Sequence, residues 1–149
     1  MFIQSIKRGF IYCFDFSSRS TRSELWYFIL FIEILQSVAF ILDNKIGFSI
    51  WTMEYQIEND VYTFYFGHLF LFTRFLTAIP LAALIIRRLH DTNRSGYWFL
   101  AFMIIYIINI FNDRFGLVVF FGIINLIIFF CTKSDHGKNK YGPESNLAN

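Results

Sequence analysis

Four apolar stretches alternate with polar loops along this chain. They cover residues 24–42, 67–86, 97–111 and 115–132. A helix needs about 20 predominantly apolar residues to cross a bilayer core, and the first two stretches come close to that length. The pattern predicts an all-α membrane protein with four transmembrane helices, an acidic external loop over residues 43–66 and a polar tail over residues 133–149.

The residues before the first stretch predict a short amphipathic helix. Apolar side chains recur there at helical spacing, at Ile3, Ile6, Phe10, Cys13 and Phe14. Such a helix is expected to lie on the inner membrane surface rather than to span it. A disordered tail is the alternative.

The external loop has a different period. Trp51, Met53, Tyr55 and Ile57 alternate with polar residues, which is typical of a strand. A hairpin that turns near Asn59 would fit this period. A helical extension of the second span fits the loop equally well, and the sequence leaves both readings open.

Composition supports membrane insertion and a single domain over residues 1–149. The chain has 149 residues, of which 56% are hydrophobic and 21% aromatic. A soluble domain of this size keeps much of its surface in water and could not bury so much apolar side chain.

The basic residues fall mainly on one predicted side of the membrane. Ten of the thirteen Lys and Arg residues lie before the first span, between the second and third spans, or in the tail: Lys7, Arg8, Arg19, Arg22, Arg87, Arg88, Arg94, Lys133, Lys138 and Lys140. The opposite loops hold Lys45 and Arg114. Because basic loops stay in the cytoplasm, this asymmetry predicts that both termini are cytoplasmic.

Glu33 lies inside the first predicted span and Arg74 inside the second. A charge at membrane depth costs several kcal/mol unless it is paired or hydrated. We therefore predict that Glu33 and Arg74 pair, with Gln36 on the same helix face as Glu33. The pair either fixes the register of two helices or belongs to a proton or ion relay. Since one pair is not a pathway, we favour the structural role.

The predicted cytoplasmic side carries the strongest candidate site. Arginine can bind phosphate or carboxylate in bidentate geometry, and the candidate anion-binding residues are Arg19, Arg22, Arg87, Arg88 and Arg94. Four further residues are expected to organise the loop between the second and third spans: His90, Asp91, Asn93 and Gly96. Neighbouring residues on a helix do not face each other, so a catalytic or metal-binding His–Asp pair is not expected.

Three segments resemble the motifs of one bacterial inner-membrane family, domain of unknown function 805. Residues 87–98 read RRLHDTNRSGYW and are similar to the family's RRLHDxGRSGWW. Residues 16–26 and 137–143 resemble its F-x-G-R-x-x-R-x-E-F/Y-W and G-x-N-x-Y-G-P. The resemblance implies a small integral membrane protein and no known activity. Asn93 stands where the family often has Gly, and because Asn tolerates left-handed backbone, the turn should persist.

The expected function is non-enzymatic binding of an anion at the basic cytoplasmic face. The anion would be a lipid headgroup or an acidic segment of a partner. Membrane lipids, a second copy of the chain or another membrane protein are the expected partners, without nucleic acid, metal or cofactor. The alternative is a small oligomeric transporter or channel that uses Glu33 and Arg74. An enzyme acting on lipids is third, since only His90 and Asp91 could serve it.

Overall fold

The computed structural model of the protein describes residues 1–47, 49–57, 60–111 and 116–144. Within these ranges the elements are α1 (Phe2–Ile11), α2 (Arg22–Ile46), β1 (Ser49–Ile57), β2 (Asp60–Gly67), α3 (His68–Asp91), α4 (Tyr97–Phe111) and α5 (Gly116–Cys131). The prediction of a helical fold is confirmed. By length and composition, α2 and α3 can each cross a membrane, and α4 and α5 contain shorter apolar segments.

The chain divides into two compact units. The first consists of Met1–Phe28 together with Pro80–Asn149, and the second of Ile29–Ile79. The first unit contains α1, the beginning of α2, the end of α3, and both α4 and α5. The second contains the rest of α2 and α3 and the two strands that connect them.

In the first unit, α1 packs through its smallest residues. Ser5 and Gly9 are buried, and a Cβ at Gly9 would lie 2.4 Å from Cε2 of Phe28. The predicted apolar side chains behave differently, with Ile3 67% and Phe14 75% exposed. The helix itself is confirmed, but the face that it buries is the small one, because only small residues let its backbone approach Phe28.

The pair α4 and α5 is also held by a close approach. Gly122 lies against Phe102, and a Cβ at Gly122 would be 2.8 Å from that ring. Trp98, near the start of α4, meets Phe129, near the end of α5, with 6.2 Å between ring centroids. The two helices therefore run antiparallel, as predicted. The predicted turn over residues 112–114 lies outside the described residues.

In the second unit, α2 continues into the sequence that was predicted to be an external loop. Asp43, the first residue of that loop, lies inside α2 and is 3% exposed. Its carboxylate accepts hydrogen bonds from the backbone N–H of Leu69 at 3.2 Å and of Phe70 at 2.8 Å. These N–H groups begin α3 and lack partners within the helix. The predicted loop boundary is therefore corrected, since Asp43 caps the next helix.

The remaining part of the predicted loop forms an antiparallel hairpin. Thr52 is opposite Tyr65, and Ile57 is opposite Asp60, with an irregularity between Ser49 and Trp51. The strand period seen in the sequence is thus confirmed and the helical alternative is wrong. The turn itself, at residues 58 and 59, lies outside the described residues.

Candidate functional site

Three distant segments meet at a buried cluster of charges in the first unit, which we call the junction: Arg19, Arg88, Asp91 and tail residues 134–142. Arg19 donates from Nε to Oδ1 of Asp91 at 3.0 Å, and each of these two side chains is 1% exposed. Arg88 donates from Nη1 to Oδ2 of the same carboxylate. Asp91 therefore accepts one charge-assisted hydrogen bond from a different arginine on each of its two oxygen atoms.

The other N–H groups of Arg19 are used by the tail. Nη1 donates to the carbonyl oxygen of Gly137 at 2.6 Å and of Gly142 at 3.3 Å. Nη2 donates to the carbonyl oxygens of Asp91 and Asp135. A buried cation needs this number of acceptors because an unpaired charge in the interior is costly.

Arg88 is occupied in the same way. Nε donates to the carbonyl oxygen of Phe130 at 3.3 Å, Nη1 to Oγ of Ser134 at 3.2 Å, and Nη2 to the carbonyl oxygen of Thr132. Arg19 and Arg88 are two of the five predicted anion-binding residues. The structure uses both of them to fasten the tail to the end of α3.

The four predicted loop-organising residues lie together at the end of α3. Asn93 has φ +57°, so it adopts the expected left-handed conformation. Its N–H donates to the carbonyl of His90 at 3.0 Å, and the N–H of Arg94 donates to Leu89 at 2.9 Å. This pair of bonds is the Schellman arrangement that ends a helix. Because this Schellman turn forms at Asn93 and Arg94, α3 extends to Asp91 instead of ending at residue 86.

The two remaining organising residues make close contacts. The imidazole of His90 stacks on the ring of Tyr141, with centroids 3.7 Å apart and 6° between the planes. Nδ2 of Asn139 donates to the carbonyl of His90 at 2.9 Å. A Cβ at Gly96 would lie 2.8 Å from Cγ2 of Ile86, so this position requires a glycine or a shifted neighbour.

Arg87 differs from its two arginine neighbours. It is 1% exposed, yet Nε and Nη2 have no hydrogen-bond partner in the described part of the chain. It lines a cavity of about 280 Å³ together with Arg8 and Tyr12. The guanidinium carbons of Arg87 and Arg8 lie 5.7 and 5.4 Å from the centre of the Tyr12 ring, so both cations contact one aromatic ring.

Carboxylates limit the positive charge of this cavity. Arg8 donates from Nε to Oε1 of Glu24 at 3.3 Å, and Oε2 of Glu24 is buried without a hydrogen-bond partner among the residues that the structure describes. Asp15 and Glu144 lie at the cavity wall. Burial raises the pKa of Asp15, but hydrogen bonds from Ser18 and Ser17 outweigh it and lower the pKa to about 2. Asp15 is therefore ionised at neutral pH.

The other two predicted anion-binding residues lie elsewhere in the first unit. Arg22 is exposed and donates to the carbonyl of Cys131 at 3.3 Å. Arg94 stacks on Phe129, with Cζ 4.2 Å from the ring centre. Nη1 of Arg94 is buried and has no hydrogen-bond partner within the described part of the chain. The five arginines thus do not form one site.

Sequence reasoning counted Arg8 only as a charge and missed Tyr12 and Tyr141. The spacing of Arg8 and Tyr12, four residues apart on one helix, is the signal that could have found the first pair, because such residues share a face. Tyr141 is the tyrosine of the segment that resembles G-x-N-x-Y-G-P, but that segment alone gave no sign of the contact with His90, which is far away in the sequence.

In the second unit, the structure does not bring Glu33 and Arg74 into an ion pair. Nη1 of Arg74 instead donates to Oε1 of Gln36 at 2.8 Å. All three residues line one open cavity of about 450 Å³. Glu33 is exposed, and its carboxylate has neither a hydrogen bond nor an ion pair with any of the described residues. Gln36 is 6% exposed, and its Nε2 has no hydrogen-bond partner in the described ranges of the chain.

These features define a small helical membrane protein. The segment before α2, the end of α3 and the tail after α5 meet in it at a buried arginine–aspartate cluster. Residues 13–143 match the model of a family described as "protein of unknown function (DUF805)", and the chain belongs to this family. It is 34% identical over 129 residues to the inner membrane protein YhaI of Escherichia coli K12, covering 87% of this chain and 84% of that protein.

A second relative gives the same result. The inner membrane protein YhaH of Escherichia coli K12 is 31% identical over 132 residues, covering 89% of this chain and 88% of that protein. No solved structure matches the chain. The predicted family and the predicted location in a bacterial inner membrane are confirmed.

Proposed function

We propose that the protein binds a phosphate group of a membrane lipid in the cavity between Arg8 and Arg87, and that it does so without catalysis. The observation that carries this proposal is Arg87. A buried guanidinium with two N–H nitrogens that lack partners is costly, and an anion that enters the adjoining cavity would offset the cost. Both nitrogens belong to the planar fork that matches a phosphate group.

The cavity favours a single phosphate group over a longer polyanion. It measures about 280 Å³, and the carboxylates of Asp15 and Glu144 at its wall would repel further negative charge. An acidic segment of a partner protein brings several carboxylates and fits this wall poorly. Arg19 and Arg88 would have to break bonds to Asp91 to contribute, so they hold the cavity in place instead.

The proposed topology places this cavity at the inner membrane surface. We infer that α2 to α5 all cross the bilayer and that both termini lie in the cytoplasm, because the basic residues are concentrated between and beyond these helices. The helix α1 then lies at the interface, which fits its exposed apolar side chains at Phe2, Ile3 and Ile11. A lipid headgroup would reach Arg8 and Arg87 from the side of the membrane.

A binding role is favoured over catalysis because the residues that could move a proton have other tasks. Asp91 holds two arginines, and His90 stacks on Tyr141. Neither is arranged as a general base oriented by a carboxylate, since such a pair requires a direct hydrogen bond between the two side chains.

Native mass spectrometry of the protein purified in mild detergent tests the proposal, with phosphatidylglycerol as the added lipid. The wild-type protein should retain one lipid, and Arg87→Gln should weaken its retention about tenfold to a hundredfold, the effect expected when a hydrogen bond to a charged group is lost. Arg8→Gln should act in the same direction with a smaller effect, because Arg8 is already paired with Glu24.

The matched control is Lys133→Gln, which removes one positive charge from an exposed residue of the tail. It should leave retention unchanged. If Lys133→Gln and Arg87→Gln lose lipid retention equally, general surface charge explains the binding and the proposal is contradicted. Retention of an acidic peptide instead of a lipid would identify a protein partner.

A second candidate function, small-molecule or ion transport, is favoured by the cavity that contains Glu33, Gln36 and Arg74. Charged and amide side chains at membrane depth commonly face a substrate path. In proteoliposomes, flux that depends on pH and is lost in Glu33→Gln would support this candidate, and the absence of flux would remove it.

A further inference from the structure

Glu33 lies in the middle of the longest apolar helix and has no partner of its own. At about 1.5 Å per residue, it is about 16 Å from the first residue of α2 and about 20 Å from the last. Its carboxylate is exposed and unpaired among the described residues. On α2 it shares a face with the exposed residues Leu30 and Ser37, which lie three and four positions away. Its carboxylate borders the open cavity that Gln36 and Arg74 also line, and a carboxylate without a countercharge at membrane depth is strongly disfavoured.

A complementary charge lies on the same side of the second unit. Arg74 is exposed, sits about 9 Å from the beginning of α3, and gives one N–H to Gln36. Phe70, four positions earlier on α3, and Ile41 of α2 line the same cavity as Arg74. The unit therefore presents an apolar face with one negative and one positive group, and the chain itself does not join them.

We propose that this face binds a second copy of the chain, with Glu33 of each copy paired to Arg74 of the other. A face that carries both charges is complementary to itself under a two-fold rotation, which is the usual symmetry of dimers. Pairing across the interface removes two carboxylates and two guanidinium groups from lipid at the same time. Gln36 would keep Arg74 in position in each copy. The pairing does not depend on the lipid site or on any transport.

Two complementary single variants test the pairing. Glu33→Gln and Arg74→Gln each leave two unpaired charges in a dimer of identical copies, so self-association should weaken about tenfold or more. A mixed dimer of the two variants retains one complete Glu33–Arg74 pair. At the second pairing position two neutral glutamines face each other. Mixing should therefore restore association.

The experiment uses native mass spectrometry of full-length chains that carry tags of different mass, expressed separately and together. The expected result is two copies for the wild type, mainly one copy for each variant alone, and mainly the mixed species when the variants are expressed together. Lys45→Gln, which removes a charge at the end of the same helix, should leave the two-copy species unchanged. A variant that merely failed to fold would not be restored by mixing.

Three outcomes would overturn the proposal. A wild type that is present only as single copies would show that the face does not self-associate. Single variants that dimerise as well as the wild type would show that the charges do not hold the interface. A mixture without enrichment of the mixed species would show that Glu33 and Arg74 act within one chain.

Discussion

Asp91 and Glu33 are both carboxylates on apolar helices, but their surroundings differ. Asp91 is buried in the first unit between two arginines, and Asp135 donates its backbone N–H to the carbonyl of Asp91 at 2.9 Å. Glu33 in the second unit is exposed and unpaired in the described residues. The first carboxylate binds side chains of its own chain, whereas the second is the one that we propose to pair with another copy. The contrast separates charges that hold a membrane protein together from charges available for contact.

Neutralising Asp91 should give the largest effect. Asp91→Asn removes the charge shared by Arg19 and Arg88 and leaves two buried cations uncompensated, which costs about 3–5 kcal/mol of unfolding free energy. Denaturation of the purified protein in detergent measures the loss. The control is Asp135→Asn, an exposed tail residue that contributes only backbone groups to the junction. If the two variants lose equal stability, the junction is not what holds the tail.

An intermediate effect is expected at Asp43, where a carboxylate acts on backbone groups alone. Asp43→Ala leaves the N–H groups of Leu69 and Phe70 without their acceptor, so the unfolding free energy should fall by about 0.5–2 kcal/mol. Asp43→Asn keeps one acceptor oxygen and should retain most of the stability. The same denaturation experiment applies, and an equal loss in both variants would argue against a capping role.

The smallest effect is expected at Glu33. The measurement is made at a ratio of detergent to protein that is high enough to keep the chains as single copies. Under these conditions Glu33→Gln should change the unfolding free energy by less than about 0.5 kcal/mol, since the carboxylate has no partner to lose among the described residues. A loss above about 1 kcal/mol, relative to the wild type under identical conditions, would reveal an internal partner and make Glu33 resemble Asp91.

Hydropathy located the helices well because insertion depends on composition. The third predicted span, residues 97–111, coincides with α4. The boundaries failed where polar residues remain helical. Asp43 and the segment from Arg87 to Asp91 were assigned to loops, but they are helical. The carboxylate of Asp43 caps the start of α3, and a Schellman turn determines where α3 ends. Neither feature changes the hydropathy of the sequence.

The site was predictable only in part, for a related reason. The resemblance of three segments suggested a shared site, and one residue from each segment, Arg19, Asp91 and Gly137, meets the others at the junction. These signals could not show which arginine lacks hydrogen-bond acceptors. The acceptors of the other arginines include backbone carbonyls far away in the sequence, as between Arg19 and Gly137, and the sequence does not reveal such contacts. The buried face of α1 was not predicted either. Gly9 lets the backbone of α1 approach Phe28 closely, but it adds little to the hydrophobic pattern of the helix.

The way that Arg19 binds the tail has a consequence for biosynthesis. Arg19 leaves the ribosome early, but its acceptors Gly137 and Gly142 follow 118 and 123 residues later. Asp91 can pair with Arg19 sooner, but these two carbonyl acceptors do not exist until residues 137–142 have been synthesised. The junction is therefore complete only after those residues emerge, and a chain that stops before them leaves Nη1 of Arg19 without these two acceptors.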